Sequence, residues 1–164
     1  MRRHHLELCL AAALVSGGSL SLRHINTPIP AKAFCGKLQP LIQPLVKPAL
    51  VLSRADDSQS DPDHAGEAQY VDCDFRQQNT QLDVSLHDDS DRIFDNPTEQ
   101  GYAPLPGVGD KARYSVRGAM GMRWVDVVRS TTACEARLTM EDSQINGDWR
   151  QAGGKICETA LKLR

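Results

Sequence analysis

The sequence predicts an α+β domain in which one face of an antiparallel five-stranded sheet is covered by an N-terminal and a C-terminal helix, with two disulfides stapling the layers. Three observations predict it. Apolar residues recur at helical spacing in residues 34–52 and again in 148–163. Between Ala68 and Met140 they alternate with polar residues at a period of two. Cys35, Cys73, Cys134 and Cys157 are spread over these elements, an even count suited to two bridges.

The chain has 164 residues, 40% of them hydrophobic and 24% charged, which fits one globular domain. Aromatics make up only 5%, so the core must come from Leu, Val, Ile and Ala. A formal charge of −2 offers no basic excess for a phosphate backbone, and no nucleic-acid partner is expected. No apolar run reaches the ~18 residues of a transmembrane segment.

Residues 1–33 read as a signal peptide. Arg2 and Arg3 precede the apolar run Leu8–Val15, and Ala31-Lys32-Ala33 places small residues where a signal peptidase accepts them, leaving 34–164 as a single α+β domain. A cut near Gly17 or Gly18 is the alternative within this reading, and an amphipathic helix of a cytosolic protein is the alternative to it. Removing residues 1–33 takes away Arg2, Arg3, Arg23, Lys32 and Glu7, which moves the net charge from −2 to −5. It also removes Cys9, and the odd cysteine count becomes even. Neither Cys9 nor Cys35 has the small-residue context of a lipidated cysteine, so a soluble periplasmic or secreted protein is expected.

In residues 34–52, Leu38, Leu41, Ile42, Leu45, Val46, Ala49 and Leu50 form a helical stripe, yet Pro40, Pro44 and Pro48 oppose it. A helix starting at Pro40 and breaking at Pro44 or Pro48 reconciles the two. Residues 53–67 are polar and aperiodic, which predicts a loop. Val71, Cys73 and Phe75, then Leu82, Val84 and Leu86, predict two half-buried strands joined by a turn at Gln77–Thr80. An acidic stretch follows, with one helical turn around Arg92–Asp95 and a Pro/Gly-rich run ending in LPGVGD. Lys111–Arg117, Arg123–Arg129 and Ala133–Met140 supply the remaining three strands, and Asp148–Leu163 the last helix, weakened by Gly153-Gly154. Four cysteines allow three pairings. The simplest joins each helix to its sheet neighbour, Cys35–Cys73 and Cys134–Cys157.

No catalytic constellation emerges, so no enzyme, metal or cofactor is expected. His64 with Asp61 and Asp63, and the group Asp88, Asp89, Asp91 and Asp95, lack the spacing of metal sites. His64 and His87 accompany no nucleophile elbow. Gly107-Val108-Gly109-Asp110 reads as a turn into a strand. The solvent face of the sheet is the candidate partner-binding surface. Asp72, Asp74, Asp83 and His87 would make it acidic at one end, Arg113, Arg117 and Arg137 basic at the other, with Trp124, Met120 and Met122 as an apolar anchor at the sheet edge.

The succession of Cys35 before a helix, Cys73 and Phe75 in a C-D-F strand, and LPGVGDKARY resembles small exported bacterial envelope proteins and lipoproteins of unknown function. The resemblance covers Phe34 to Arg164 and implies an α+β envelope protein without catalysis; this chain departs from it by lacking a lipid-attachment cysteine and by adding Cys134 and Cys157. The expected function is a binding module that contacts an envelope protein, of the inhibitor or immunity type. The alternative is a protein for a small ligand or cell-wall component, with a cleft lined by Leu41, Leu45 and Trp149. A hydrolase built on His87 ranks last.

Overall fold

In the computed structural model, residues 29–67, 69–88, 101–115 and 122–164 are described. The elements, in chain order, are α1 (Ala31–Ile42), β1 (Val51–Asp57), β2 (Val71–Gln77), β3 (Thr80–His87), β4 (Tyr102–Pro104), β5 (Lys111–Ser115), β6 (Met122–Arg129), β7 (Thr132–Thr139) and α2 (Trp149–Lys162). The strands form one antiparallel sheet in the order β1-β2-β3-β7-β6-β5-β4. Both helices lie on the same side and touch each other, α1 over β1 and β2, α2 over β6 and β7.

The α+β class, the covering helices and the two bridges agree with the sequence reading, but the sheet has seven strands, not five. The first extra strand, β1, runs through residues read as loop. Its register with β2 shifts between Leu52 and Arg54, so the core-facing Leu52 and Ala55 are three residues apart. A bulge of this kind destroys the even spacing by which a strand is recognised. The second, β4, is three residues long and ends at Pro104, a residue tolerated at a sheet edge.

The first helix also sits differently. It ends two residues after Pro40 rather than starting there, and Pro44 opens a short 3-10 turn at Gln43–Leu45. Ala31 and Ala33 of the cleavage motif form its first turn. Ala31 is 3% exposed, and its N–H donates to Asp57 Oδ2 at 3.2 Å, a bond that draws the Asp57 carboxyl below its ordinary range. The stripe Phe34, Cys35, Leu38 and Ile42 is buried, and Val46 and Leu50 continue it beyond the helix. Leu41 points to solvent, at 50% exposed.

The second helix matches its predicted span. Asp148 is its N-cap, accepting hydrogen bonds from the N–H groups of Arg150 and Gln151. Gly153 brings the helix against β6, because a Cβ there would lie 2.6 Å from Val125 Cγ2. Cys35 bonds to Cys73 and Cys134 to Cys157, each pair with 5.5 Å between Cα atoms. Among the described residues no helix is long and apolar enough to cross a membrane.

Candidate functional site

The side of the sheet away from the helices carries most of the charged residues singled out by sequence. Val71, Cys73 and Phe75 of β2 point into the core, so Asp72, Asp74 and Arg76 point outward. Strand pairing then sets out two rows across the outer face. One runs Arg54, Asp74, Asp83, Arg137 and Trp124; the next runs Asp56, Asp72, Ser85, Glu135, Asp126 and Arg113.

A polar groove of about 260 Å³ lies over the first three strands and β7, with Tyr70 at one end and Arg137 at the other. Its carboxylates are held in three different ways. Asp72 accepts from Arg54 Nη2 at 3.1 Å and Ser85 Oγ at 2.7 Å. Asp74, 3% exposed, takes both oxygens to Arg76 Nε at 2.9–3.0 Å. Asp83 is held by the neutral amide of Gln81 at 3.0 and 3.1 Å. Arg137 is its register partner on β7 but turns to Glu135, at 2.9 Å. Burial, followed by the nearby Asp74 and Asp72 charges, pushes the Asp83 carboxyl above its ordinary range.

Tyr70 stacks on His64 with ring centres 3.7 Å apart and planes 5° from parallel, and burial raises its phenol. His64 Nδ1 lies 2.8 Å from Glu67 Oε1, and Asp61 accepts from the Asp63 N–H, so both side chains have roles within their own loop. Among the described residues no group of three or more His, Cys, Asp or Glu could hold a metal ion.

The other end of the face is built from Asp126 and Arg113. Arg113 Nε donates to Asp126 Oδ2 at 2.6 Å, and its guanidinium lies 4.1 Å from the centre of the Tyr102 ring. Thus Asp72, Asp74, Asp83, Arg113, Trp124 and Arg137 do share one face, while His87 lies one row further on, opposite Ala133. Arg117, Met120 and the acidic residues Asp89, Asp91 and Asp95 fall outside the described residues. The expected separation into an acidic and a basic end is not what the strands produce. Pairing β3 with β7 places Arg137 beside Asp83, and the unforeseen β1 brings Arg54 among the aspartates. Trp124 lies on β6, inside the sheet, rather than at its edge.

Sequence reasoning missed Arg54 and Tyr70. Arg54 sits on the bulged strand, which carried no signal, and Tyr70 lies just before β2 in the alternating stretch, where no motif set it apart. The space expected to hold a cleft between the sheet and the proline-bearing segment is filled by Leu38, Ile42, Val46 and Leu50. No protein-family model matches the chain, and neither the curated proteins nor the solved structures include a significant match to it.

Proposed function

We propose that this protein is an exported binding module that docks a protein partner of the bacterial envelope through the outer face of its sheet. The observation that carries the reading is the groove at Asp74 and Asp83. Two carboxylates face each other across β2 and β3, and the second is held by an amide while the arginine opposite is drawn elsewhere. Like charges in direct cross-strand opposition destabilise a sheet, and a partner that brings a Lys or Arg to Asp83 removes that cost. Two disulfides support an oxidising compartment. Because Ala31 and Phe34 are buried in α1, removal of a leader near Gly17 or Gly18 suits the fold better than a cut after Ala33.

The test is a binding and inhibition screen against purified envelope hydrolases, with wild type beside Asp83→Arg and Arg137→Asp. The expected result is at least one partner whose affinity falls with added salt and drops tenfold or more in Asp83→Arg. If both charge reversals bind every partner as wild type does, or no hydrolase binds at all, the docking reading is wrong.

A further inference from the structure

A different surface, on the helix side of the sheet, has the features of a ligand site. Register with the buried Val125 and Leu138 places Tyr114 of β5 and Arg123 of β6 on that side. They lie at the sheet end where α2 begins, and the first residue of that helix, Trp149, packs against them. The Tyr114 and Trp149 rings meet edge to face with centres 5.8 Å apart, and the Arg123 guanidinium lies 5.4 Å from the Trp149 ring centre. Arg150 lies 5.9 Å from the same ring.

Trp149, half-buried against the core, thereby touches residues that line two separate clefts. Arg123 lines the larger, of about 470 Å³, and Arg150 lines the other, of about 410 Å³. The larger is walled by Gln78, Asn79, Thr80, Thr139 and Gln144. Gln144 donates to the buried Thr80 at 2.8 Å and accepts from the Glu141 N–H, so Gln78, Asn79 and Thr139 are the groups that can donate to and accept from a ligand. The smaller is lined by the apolar Pro104, Leu105, Pro106 and Tyr114 and by the planar polar groups of Asp148, Arg150 and Gln151.

Charge narrows the class of ligand. Arg123 is paired with Asp142, and Arg150 holds Asp148 through Nε at 3.0 Å and Nη2 at 2.6 Å. With both cations neutralised and Glu141 beside them, the surface has no excess positive charge to offer an anionic polymer. Asp148 also occupies the helix N-terminus itself. What remains is aromatic and apolar surface beside neutral or internally paired hydrogen-bonding groups. Sugar rings present that same combination, with a C–H face for aromatic contact and hydroxyls around the rim.

We propose that this end of the helix-side surface binds a neutral oligosaccharide, with sugar units seated in both clefts and the chain passing over the half-buried Trp149 between them. The site is independent of the docking face.

Titration of the oxidised protein with the hexamers of N-acetylglucosamine and of glucose tests it, read by calorimetry and tryptophan fluorescence. Trp124→Phe isolates the Trp149 signal. Polygalacturonate and a proline-rich decapeptide are the competing arms. The expected result is saturable binding of a neutral hexamer, at least tenfold tighter than its monomer. Trp149→Ala should weaken it at least tenfold, and Asp83→Arg should leave it unchanged. Since Trp149 also packs on Tyr114, the doubly substituted Asn79→Ala/Gln151→Ala, at two exposed positions, gives a second measure and should weaken binding several-fold. No saturable binding of either hexamer, binding indifferent to both variants, or preference for the anionic polymer or the peptide would each overturn the proposal.

Discussion

Asp74 and Asp83 oppose each other in the β2–β3 register, and the Asp83 carboxyl holds its proton to higher pH in the folded protein than in the unfolded chain. Below the unfolded pKa both states are protonated and the site costs nothing. As pH rises through the window between the unfolded and folded values, the unfolded state releases its proton first and stability falls. Asp83→Asn removes that slope. At neutral pH it should raise stability by a few tenths to about 1 kcal/mol, with the gain vanishing towards pH 3, as urea melts at several pH values would show. The same substitution should weaken partner docking. A residue whose replacement stabilises the fold and impairs binding is one kept for its function. Asp57 and Asp148 behave in the opposite sense, because their carboxyls are lowered by the Ala31 N–H and by Arg150 respectively. Their stabilisation is present at neutral pH and is lost as pH falls through their folded pKa values.

The Gly153-Gly154 pair in α2 shows how an element can contradict its own propensity. Glycine inside a helix costs about 1 kcal/mol relative to alanine, so composition alone argues against a helix there. The structure supplies the compensation, since a methyl group at Gly153 would meet Val125 at 2.6 Å and one at Gly154 would meet Leu105 and Val108 at 3.2 Å. Gly153→Ala should therefore destabilise by about 1–2 kcal/mol in thermal or urea melts, overpacking outweighing the propensity gain. Local signals made several elements legible. Four strands announced themselves by alternation, β6 by being apolar on both sides, α2 by its stripe, and the cysteine pairing by parity and by which elements could meet. Signals were absent where geometry is irregular or non-local. The bulge in β1 broke the alternation, and the prolines shifted the reading of α1 towards its C-terminal end. The β3–β7 pairing joins segments about 50 residues apart, which no window of sequence reveals. For that reason Asp72, Asp74, Asp83 and Arg137, which do share the outer face, were set out along it in the wrong arrangement.

At the scale of the molecule, the two bridges staple separate parts of the sheet. Cys35–Cys73 fastens α1 to β2 and Cys134–Cys157 fastens α2 to β7, closing loops with sequence separations of 38 and 23. On the loop-entropy account each contributes about 3–4 kcal/mol. Typical domains have only about 5–15 kcal/mol in total, so the two together are a large part of the margin. The Cys134→Ala/Cys157→Ala variant should lose about 3 kcal/mol in urea denaturation, and reduction of both bridges should lower the melting temperature further. An unchanged melting curve in strong reductant would show that packing alone holds the layers together.

Both bridges also join cysteines that are neighbours in the sequence of pairing, first with second and third with fourth. A chain that emerges into an oxidising compartment from its N-terminal end presents Cys35 and Cys73 to one another before Cys134 has appeared. The earliest bond among these four is then already a native one, and no later exchange has to undo it. On the proposed export, maturation is expected to need an oxidant but no isomerase, which oxidative refolding of the reduced protein with and without a disulfide isomerase would check.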